Sequence, residues 1–354
     1  MIFIDASRYS NTEKRTGVEN YSYFLINELI KNHLDEIILI SPKKISLDVK
    51  QIIIPFPRLW TQIRLSWEIF KNRKIDNIFV PSHVLPIVCT SNSTITIHDV
   101  AWKHIPESYG FLSSLYLNWG TKFAVKHANK IIVPSEVTKN DLIKFFKADS
   151  KKIHVIPLGF QSPEIKLSEN DEQKIINHWS LNIGHYFLFI GRIEHKKNTD
   201  TLIKAFAEFS KTNPDIKLVL AGSVGRGGEE IIKNIPDEVR DKIVITGYVH
   251  DKEKHTLYKN ALCFVFPSRY EGFGIPLLEA MSYNLPIIAS KIPTSEEIAG
   301  SNVEFFELLN TKTLENIMKK VISERGSKKD YSEVLSKYSW EKNAEKTWEI
   351  LKFH

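Results

Sequence analysis

The signatures of disulfide scaffolds, secretion and membrane spanning are all missing from this sequence. Cysteine occurs only at Cys89 and Cys263 in 354 residues. Two distant cysteines form neither a disulfide framework nor a metal-ligand spacing, which excludes the small secreted scaffolds and predicts a reducing, cytoplasmic setting. The start, Met1-Ile2-Phe3-Ile4-Asp5, has no basic lead and no long apolar core, so no signal peptide is expected. No apolar run approaches the roughly 18 residues of a membrane span. The sequence also has no Asp-x-Asp, no Walker loop, no Gly-x-Gly-x-x-Gly and no His/Cys cluster. A metal-held diphosphate, a P-loop, a dinucleotide fingerprint and a zinc site therefore have no sequence support, and neither a metal nor a cofactor is expected.

What is present is a mixed, alternating chain. At this length two domains are expected. The net charge of +6 is unevenly placed: residues 1–165 hold 21 Lys and Arg against 15 Asp and Glu, and the remainder holds 27 against 27. A basic first half suits an anionic partner, although a solvated lysine-rich surface accounts for it equally. Strand-like runs at 2–5, 36–41, 51–55, 75–81, 94–99, 130–134 and 153–158 alternate with helical segments such as 18–32, 112–127 and 137–147. A second series follows, with strands at 186–190, 217–221, 242–246, 263–267 and 286–289 and helices at 198–212, 252–260, 276–283 and 311–323. Apolar runs without polar alternation mark strands covered on both faces, which means parallel sheets. The expectation is α/β: two Rossmann-like, doubly wound parallel-sheet domains facing a deep cleft, with ligands at the strand ends. The polar stretch from 161 to 184 holds the linker, giving domains at 1–163 and 164–339, and the tail from 340 to 354 forms a last helix.

The strand ends carry the candidate chemistry. Gly17 precedes a helix after the first strand, where bare backbone can approach an anion; a glycine in that place is also common without a role. The strand 94–99 ends in His98-Asp99, a general base, a hydrogen-bond donor or simply a structural histidine. After 186–190 comes "GRIEHKKN", which sets Arg192 and Lys197 beside a helix amino end, a phosphate-sized cationic site. After 263–267 comes "SRYEGFGIPLLEA". Glu271 lies on its loop and Glu279 about one helical turn inside the helix opened by Pro276. Gly272 and Gly274 let backbone N–H groups reach an anion. One acid for a ribose and one for a sugar, with a diphosphate between them, fits a nucleotide sugar; the plain alternative is a helix-capping Glu279 and a surface Glu271.

The order "RTGVENY", "IHDVAW", "VPSEVTKNDL", "HVIPLG", "FIGRIEHKKN", "LAG", "ITGYV", "FPSRYEGFGIPLLEAMSYNLPIIAS" and "YSW" resembles the retaining glycosyltransferases of family four, with the GT-B fold. Within that family it is similar to bacterial mannosyl- and rhamnosyltransferases of surface-polysaccharide (O-antigen or capsule) assembly. The resemblance implies that Arg192 and Lys197 hold the donor diphosphate, Glu279 the ribose and Glu271 the hexose. It implies backbone contacts from Gly191 and from Gly272, Phe273, Gly274 and Ile275, and base contacts from Gly247, Tyr248 and Val249. From the first domain it implies Gly17 at the phosphates and His98, with Asp99, at the transferred sugar. The resemblance also implies that the last helix, from about Trp340, crosses back to the first domain. Asn284 stands where the family usually has glycine, and asparagine also tolerates the left-handed conformation that turn needs.

The expected activity is metal-independent transfer of a hexose, mannose from GDP-mannose first, to a saccharide or lipid-linked saccharide, with retention. UDP-, ADP- or dTDP-sugar donors, an epimerase and a non-catalytic partner subunit are the alternatives. A nucleic-acid partner lacks its module. The basic, aromatic stretch from 58 to 74 either lies on the inner face of the plasma membrane or packs its aromatics on the first sheet.

Overall fold

Short runs rich in branched and aromatic residues make most strands, and those inside each sheet are largely buried on both faces, while the four edge strands are partly exposed. Cys263-Phe264-Val265-Phe266 is an instance of the buried kind, with no residue more than 2% exposed. A computed structural model describes residues 1–12, 15–56, 59–72, 74–324 and 329–352. Seven parallel strands, β1 (Ile2–Asp5), β2 (Ile37–Ser41), β3 (Gln51–Ile53), β4 (Asn77–Val80), β5 (Asn92–Thr96), β6 (Lys130–Val133) and β7 (Ile153–Val155), lie in the order β3-β2-β1-β4-β5-β6-β7. Six more, β8 (Tyr186–Ile190), β9 (Lys217–Ala221), β10 (Ile243–Gly247), β11 (Cys263–Phe266), β12 (Ile287–Ser290) and β13 (Glu304–Phe306), lie in the order β10-β9-β8-β11-β12-β13. Each sheet reverses its winding once, beside β1 in the first and beside β8 in the second. Such a reversal opens a crevice at the carboxyl ends of the strands.

The chain divides into two compact units. The first comprises 1–103, 110–159 and 338–354; the second comprises 104–109 and 160–337. Sequence expectation set the boundaries at 163/164 and 339/340, a few residues later, and did not separate 104–109. That short segment joins the second unit because His104 stacks on Tyr270 at 4.3 Å and Glu107 pairs with Arg269 at 3.0 Å. Helices α1 (Gly17–His33), α2 (Ser66–Lys71), α3 (Phe111–His127) and α4 (Glu136–Phe146) belong to the first unit. Helices α5 (Glu169–His178), α6 (Thr199–Ser210), α7 (Gly228–Lys233), α8 (Asp251–Asn260), α9 (Ile275–Ser282), α10 (Pro293–Ala299), α11 (Thr311–Ser323) and α12 (Ser332–Leu335) belong to the second. The last helix, α13 (Trp340–Lys352), packs in the first unit with Trp340, Ala344, Trp348 and Leu351 inward. Trp348 stacks on His33 at 3.8 Å, and Asn343 donates to the Pro157 carbonyl at 2.6 Å.

Local sequence sets the helix ends that frame the sites. Thr16 and Glu19 form a capping box at α1, with Glu19 Oε2 accepting from the Thr16 N–H at 2.7 Å. Pro276 lies in the first turn of α9, where its missing N–H costs nothing. Asn284 takes the left-handed conformation, φ 55°, so the turn forms without glycine. The stretch from 60 to 71 is not one regular helix. A π-helical turn, Trp60–Leu65, runs into the six-residue α2. Arg58 and Arg73 lie outside the described residues.

Candidate functional site

In the second unit the candidate residues gather at the switch point. The loops after β8 and β11, which are neighbouring strands, carry Arg192–Lys197 and Ser268–Gly274. The two loops are tied to each other by the Arg269 N–H, which donates to the Lys196 carbonyl at 2.9 Å. The β11 loop is pinned twice more: Ser290 donates to the Ser268 carbonyl at 2.5 Å, and Thr294 to the Glu271 carbonyl at 2.7 Å. Lys197 Nζ donates to Glu271 Oε1 at 2.5 Å, with the two side chains 20% and 12% exposed. Burial raises the Glu271 pKa, but the ammonium groups of Lys197 and Lys196 outweigh it and hold the carboxyl below its usual range. Glu271 is therefore an ionised acceptor at neutral pH, and Lys197 keeps two further N–H donors for another anion.

Glu279 is held separately. Its Oε1 accepts from Lys254 at 2.7 Å and its Oε2 from the Tyr258 hydroxyl at 3.0 Å. Burial opposes the Lys254 charge, yet Glu279 outweighs it and raises the ammonium pKa. Burial and the Glu279 charge together push the Tyr258 hydroxyl well up. Each carboxylate oxygen still has a lone pair to offer a hydroxyl. Arg192 is exposed, and no carboxylate or carbonyl of the described residues holds it. The expected pair of like cations thus separates into a paired Lys197 and an unpaired Arg192.

The glycines of this region have different reasons. Gly191, Gly247 and Gly274 adopt φ of 155°, 69° and 126°, which disfavour a side chain. Gly274 is the N-cap of α9, with Ile275 its first residue; Gly272 and Phe273 precede them on the pinned loop. Tyr248 is half exposed and edge-on to His250, whereas Val249 is buried. The sequence reading missed Lys254, Tyr258 and Lys196. Lys254 and Tyr258 stand four apart on α8, hence on one face, and that spacing was the available signal.

In the first unit His98 and Asp99 lie just beyond β5, which ends at Thr96 and not at Asp99 as the sequence suggested. His98 Nε2 is 3.2 Å from the Pro81 carbonyl oxygen. A carbonyl only accepts, so Nε2 carries the proton and Nδ1 is left as the acceptor. The ring meets Tyr21 edge-on at 4.7 Å and His83 at 5.2 Å. Desolvation, with His83 adding to it, pushes the imidazole pKa down to about 3. The ring is uncharged at pH 7. Asp99 Oδ1 accepts from the Ala101 N–H at 3.0 Å and so holds the following turn. His83 was missed, although it follows a strand end just as His98 does.

Gly17 opens α1 with no positive φ, and a Cβ there would meet nothing within 4 Å. Neither conformation nor packing within the protein demands glycine at this position. Among the described residues no three His, Cys, Asp or Glu side chains group as cation ligands.

Two family models match the chain: "Glycosyltransferase Family 4" over residues 15–161 and "Glycosyl transferases group 1" over residues 173–339. The chain is 26% identical over 262 residues to the O-antigen chain mannosyltransferase RfbU of Salmonella typhimurium, covering 74% of this chain and 68% of the relative. It is 28% identical over 207 residues to the O-antigen chain mannosyltransferase B of Escherichia coli, covering 58% of this chain and 54% of the relative. Solved structures share the fold. Anabaena HepE, in complex with UDP and glucose, superposes with a TM-score of 0.73 at 16% identity, over 100% of this chain and 99% of that one. WaaG, a glycosyltransferase involved in lipopolysaccharide biosynthesis, superposes with a TM-score of 0.71 at 14% identity, over 100% of both chains. Family models across both halves and a shared backbone across the whole length agree: the chain belongs to glycosyltransferase family four and has the GT-B fold.

Proposed function

We propose that the protein transfers a hexose, with retention and without a metal, from a nucleoside diphosphate sugar to a saccharide acceptor. The observation that carries this reading is the Lys197–Glu271 pair at the switch point with the unpaired Arg192 on the same loop. Two N–H donors of Lys197, the Arg192 guanidinium and the amino end of α9 offer fixed positive charge where a diphosphate leaves. Glu271 accepts hexose hydroxyls and Glu279 ribose hydroxyls. Gly191, Gly272, Phe273, Gly274 and Ile275 contribute backbone, and Gly247, Tyr248 and Val249 meet the base. In the first unit Gly17 offers bare backbone to an anion, and His98 Nδ1 accepts a sugar hydroxyl while Asp99 steadies its turn.

The step breaks the bond from the anomeric carbon to the phosphate oxygen, and the electron pair stays on the diphosphate. The acceptor hydroxyl attacks on the same face, and its proton passes to the departing phosphate oxygen. With His98 neutral and a weak base, and both Glu271 and Glu279 held by lysines, that oxygen is the base the reading needs. Mannose from GDP-mannose is the first donor to test, and the acceptor is proposed as a growing surface polysaccharide, lipid-linked, at the inner face of the membrane. Its support is the likeness to the two O-antigen mannosyltransferases. A thermal-shift screen against GDP-, UDP-, ADP- and dTDP-sugars tests it, because a ligand at 100 times its Kd stabilises the fold by about 2.7 kcal/mol. GDP-mannose should raise the melting temperature most, and an equal response to all four would remove the donor assignment.

A further inference from the structure

Six residues stand apart from their neighbours in sequence. The runs up to Lys103 and from Gly110 belong to the first unit, while 104–109 belongs to the second. The segment is short and stiff. Pro106 opens a 3-10 turn, Pro106–Ser108, in which the Ser108 N–H donates to the Ile105 carbonyl at 3.1 Å and the Tyr109 N–H to the Pro106 carbonyl at 3.0 Å. The proline ring fixes φ, so the turn has little freedom of its own. A second 3-10 turn, Ala101–Lys103, precedes it, and Asp99 Oδ1 holds the Ala101 N–H. Ile105 is buried and anchors the segment between them.

The side chains that this segment grips are Arg269 and Tyr270, the two residues before Glu271. The His104 ring lies on the Tyr270 ring, 18° from parallel at 4.3 Å, and Glu107 pairs with Arg269 Nη1 at 3.0 Å. Arg269 also supplies the N–H that ties the Glu271 loop to the Lys196 carbonyl. One residue thus joins three pieces of chain: the loop of Lys197, the loop of Glu271 and the 104–109 segment. Ser290 and Thr294 fix the carbonyls of Ser268 and Glu271, which sets the backbone path. Between those two pins, the stack and the ion pair set the side chains at 269 and 270. His104 and Glu107 are themselves exposed, and an exposed ion pair adds little to stability. Such contacts suit the alignment of a loop better than the support of a fold, and a shift of about 1 Å at a reacting group can cost about 10²-fold in rate. We propose that 104–109 is a positioning strap: His104 and Glu107 hold the loop so that Glu271 meets the donor hexose in its reactive geometry. Both act through Tyr270 and Arg269 and neither touches substrate. This role rests on the reading of Glu271 as the group that accepts hexose hydroxyls.

Hydrogen exchange of the 268–274 amides tests the strap without any substrate. His104→Ala with Glu107→Gln should speed that exchange several-fold and leave the β8 amides as in wild type. Release of GDP from GDP-mannose, with water standing in for the acceptor, tests its consequence. His104→Ala should lower kcat by about tenfold with the donor KM within about twofold, and His104→Phe, which keeps the stack and loses the imidazole, should restore the rate. Glu107→Gln should cost a few-fold, and the gap to wild type should close at high salt, because the pair is exposed. Unchanged loop exchange in the double variant, wild-type kcat in His104→Ala, or a phenylalanine that rescues no better than alanine would overturn the strap. So would faster exchange throughout the second unit, β8 included, which would mark a merely structural role. If wild type releases no GDP, the donor reading fails on its own and loop exchange decides, a local rise supporting the strap and no rise overturning it.

Discussion

The two switch points wind alike and are built differently. In the second unit the crevice is charged and fastened. Lys197 is locked on Glu271, Lys254 on Glu279, and three hydrogen bonds pin the loop that carries Glu271. In the first unit rings gather at the strand ends, Tyr21 and His83 lying against an uncharged His98, with Asp5 closing β1 and Asp99 following β5. A diphosphate needs fixed charge that does not reorganise as it leaves. Net charge by sequence half runs the other way, since the excess Lys and Arg lie in the first half. Bulk charge and site charge are thus separate properties of this protein.

The largest expected effect breaks the fastened crevice. Lys197→Ala should lower kcat by about 10² to 10³-fold, the loss typical of one preorganised transition-state donor. Steady-state kinetics check it, and an unchanged kcat would remove Lys197 from the mechanism. The stability cost should follow from Glu271. Its pKa is depressed in the folded state, so the pair stabilises fully above the ordinary carboxylate range and the contribution is lost as pH falls through the lowered value. Wild type and Lys197→Ala should therefore converge in melting temperature on acidification.

Glycine substitutions sharpen the comparison next. A Cβ on Gly222, after β9, would overlap the Gly191 carbonyl, where φ is also 147°, so Gly222→Ala should destabilise the second unit by several kcal/mol, about 3 or more. Gly17→Ala meets open space, so its melting temperature should stay within about 1 °C of wild type, in line with a surface substitution's few tenths of a kcal/mol. If an anion approaches the α1 backbone, turnover should nevertheless fall by about tenfold or more, one hydrogen-bonded contact to a charged group. Wild-type turnover in Gly17→Ala would leave the first crevice without a role at the phosphates.

Smaller effects concern single charges. Arg192→Ala should leave stability unchanged, because none of the described residues holds that guanidinium, and raise the donor KM by about tenfold. His98 should show no titration between pH 5 and 8 by NMR. Its folded pKa, about 3, lies below the unfolded value near 6.5, so the unfolded chain binds more protons between those limits. Stability from this residue therefore falls as pH drops from 6.5 toward 3, and His98→Gln should flatten that slope.

Much of the fold is legible in the chain itself. Twelve strands announce themselves as short apolar runs, because a strand buried on both faces has no polar register to keep. The thirteenth, Glu304–Phe306, is three residues long with Glu304 on it, too short and too polar to stand out. Arg192, Lys197, Glu271 and Glu279 were found because each follows a strand end at a spacing set by one turn or one helical turn. Lys254 and Tyr258 were not, because their pairing with Glu279 joins α8 to α9 across 21 and 25 residues. The exposed Phe111, Leu112, Leu115 and Trp119 of α3 were also missed: the helix's apolar content reads the same whether the large side chains face in or out.

By itself the sequence determined the strand and helix alternation, the two parallel sheets, the helix caps and the loops where charged residues meet glycine, since these depend on local sterics and on periodicity. Only the tertiary structure decided which lysine each carboxylate holds, that no described residue pairs with Arg192, that His98 is neutral with its proton on Nε2, and that α3 turns its bulky face outward. Those are outcomes of desolvation and of distances between residues far apart in the chain, and no local pattern encodes them.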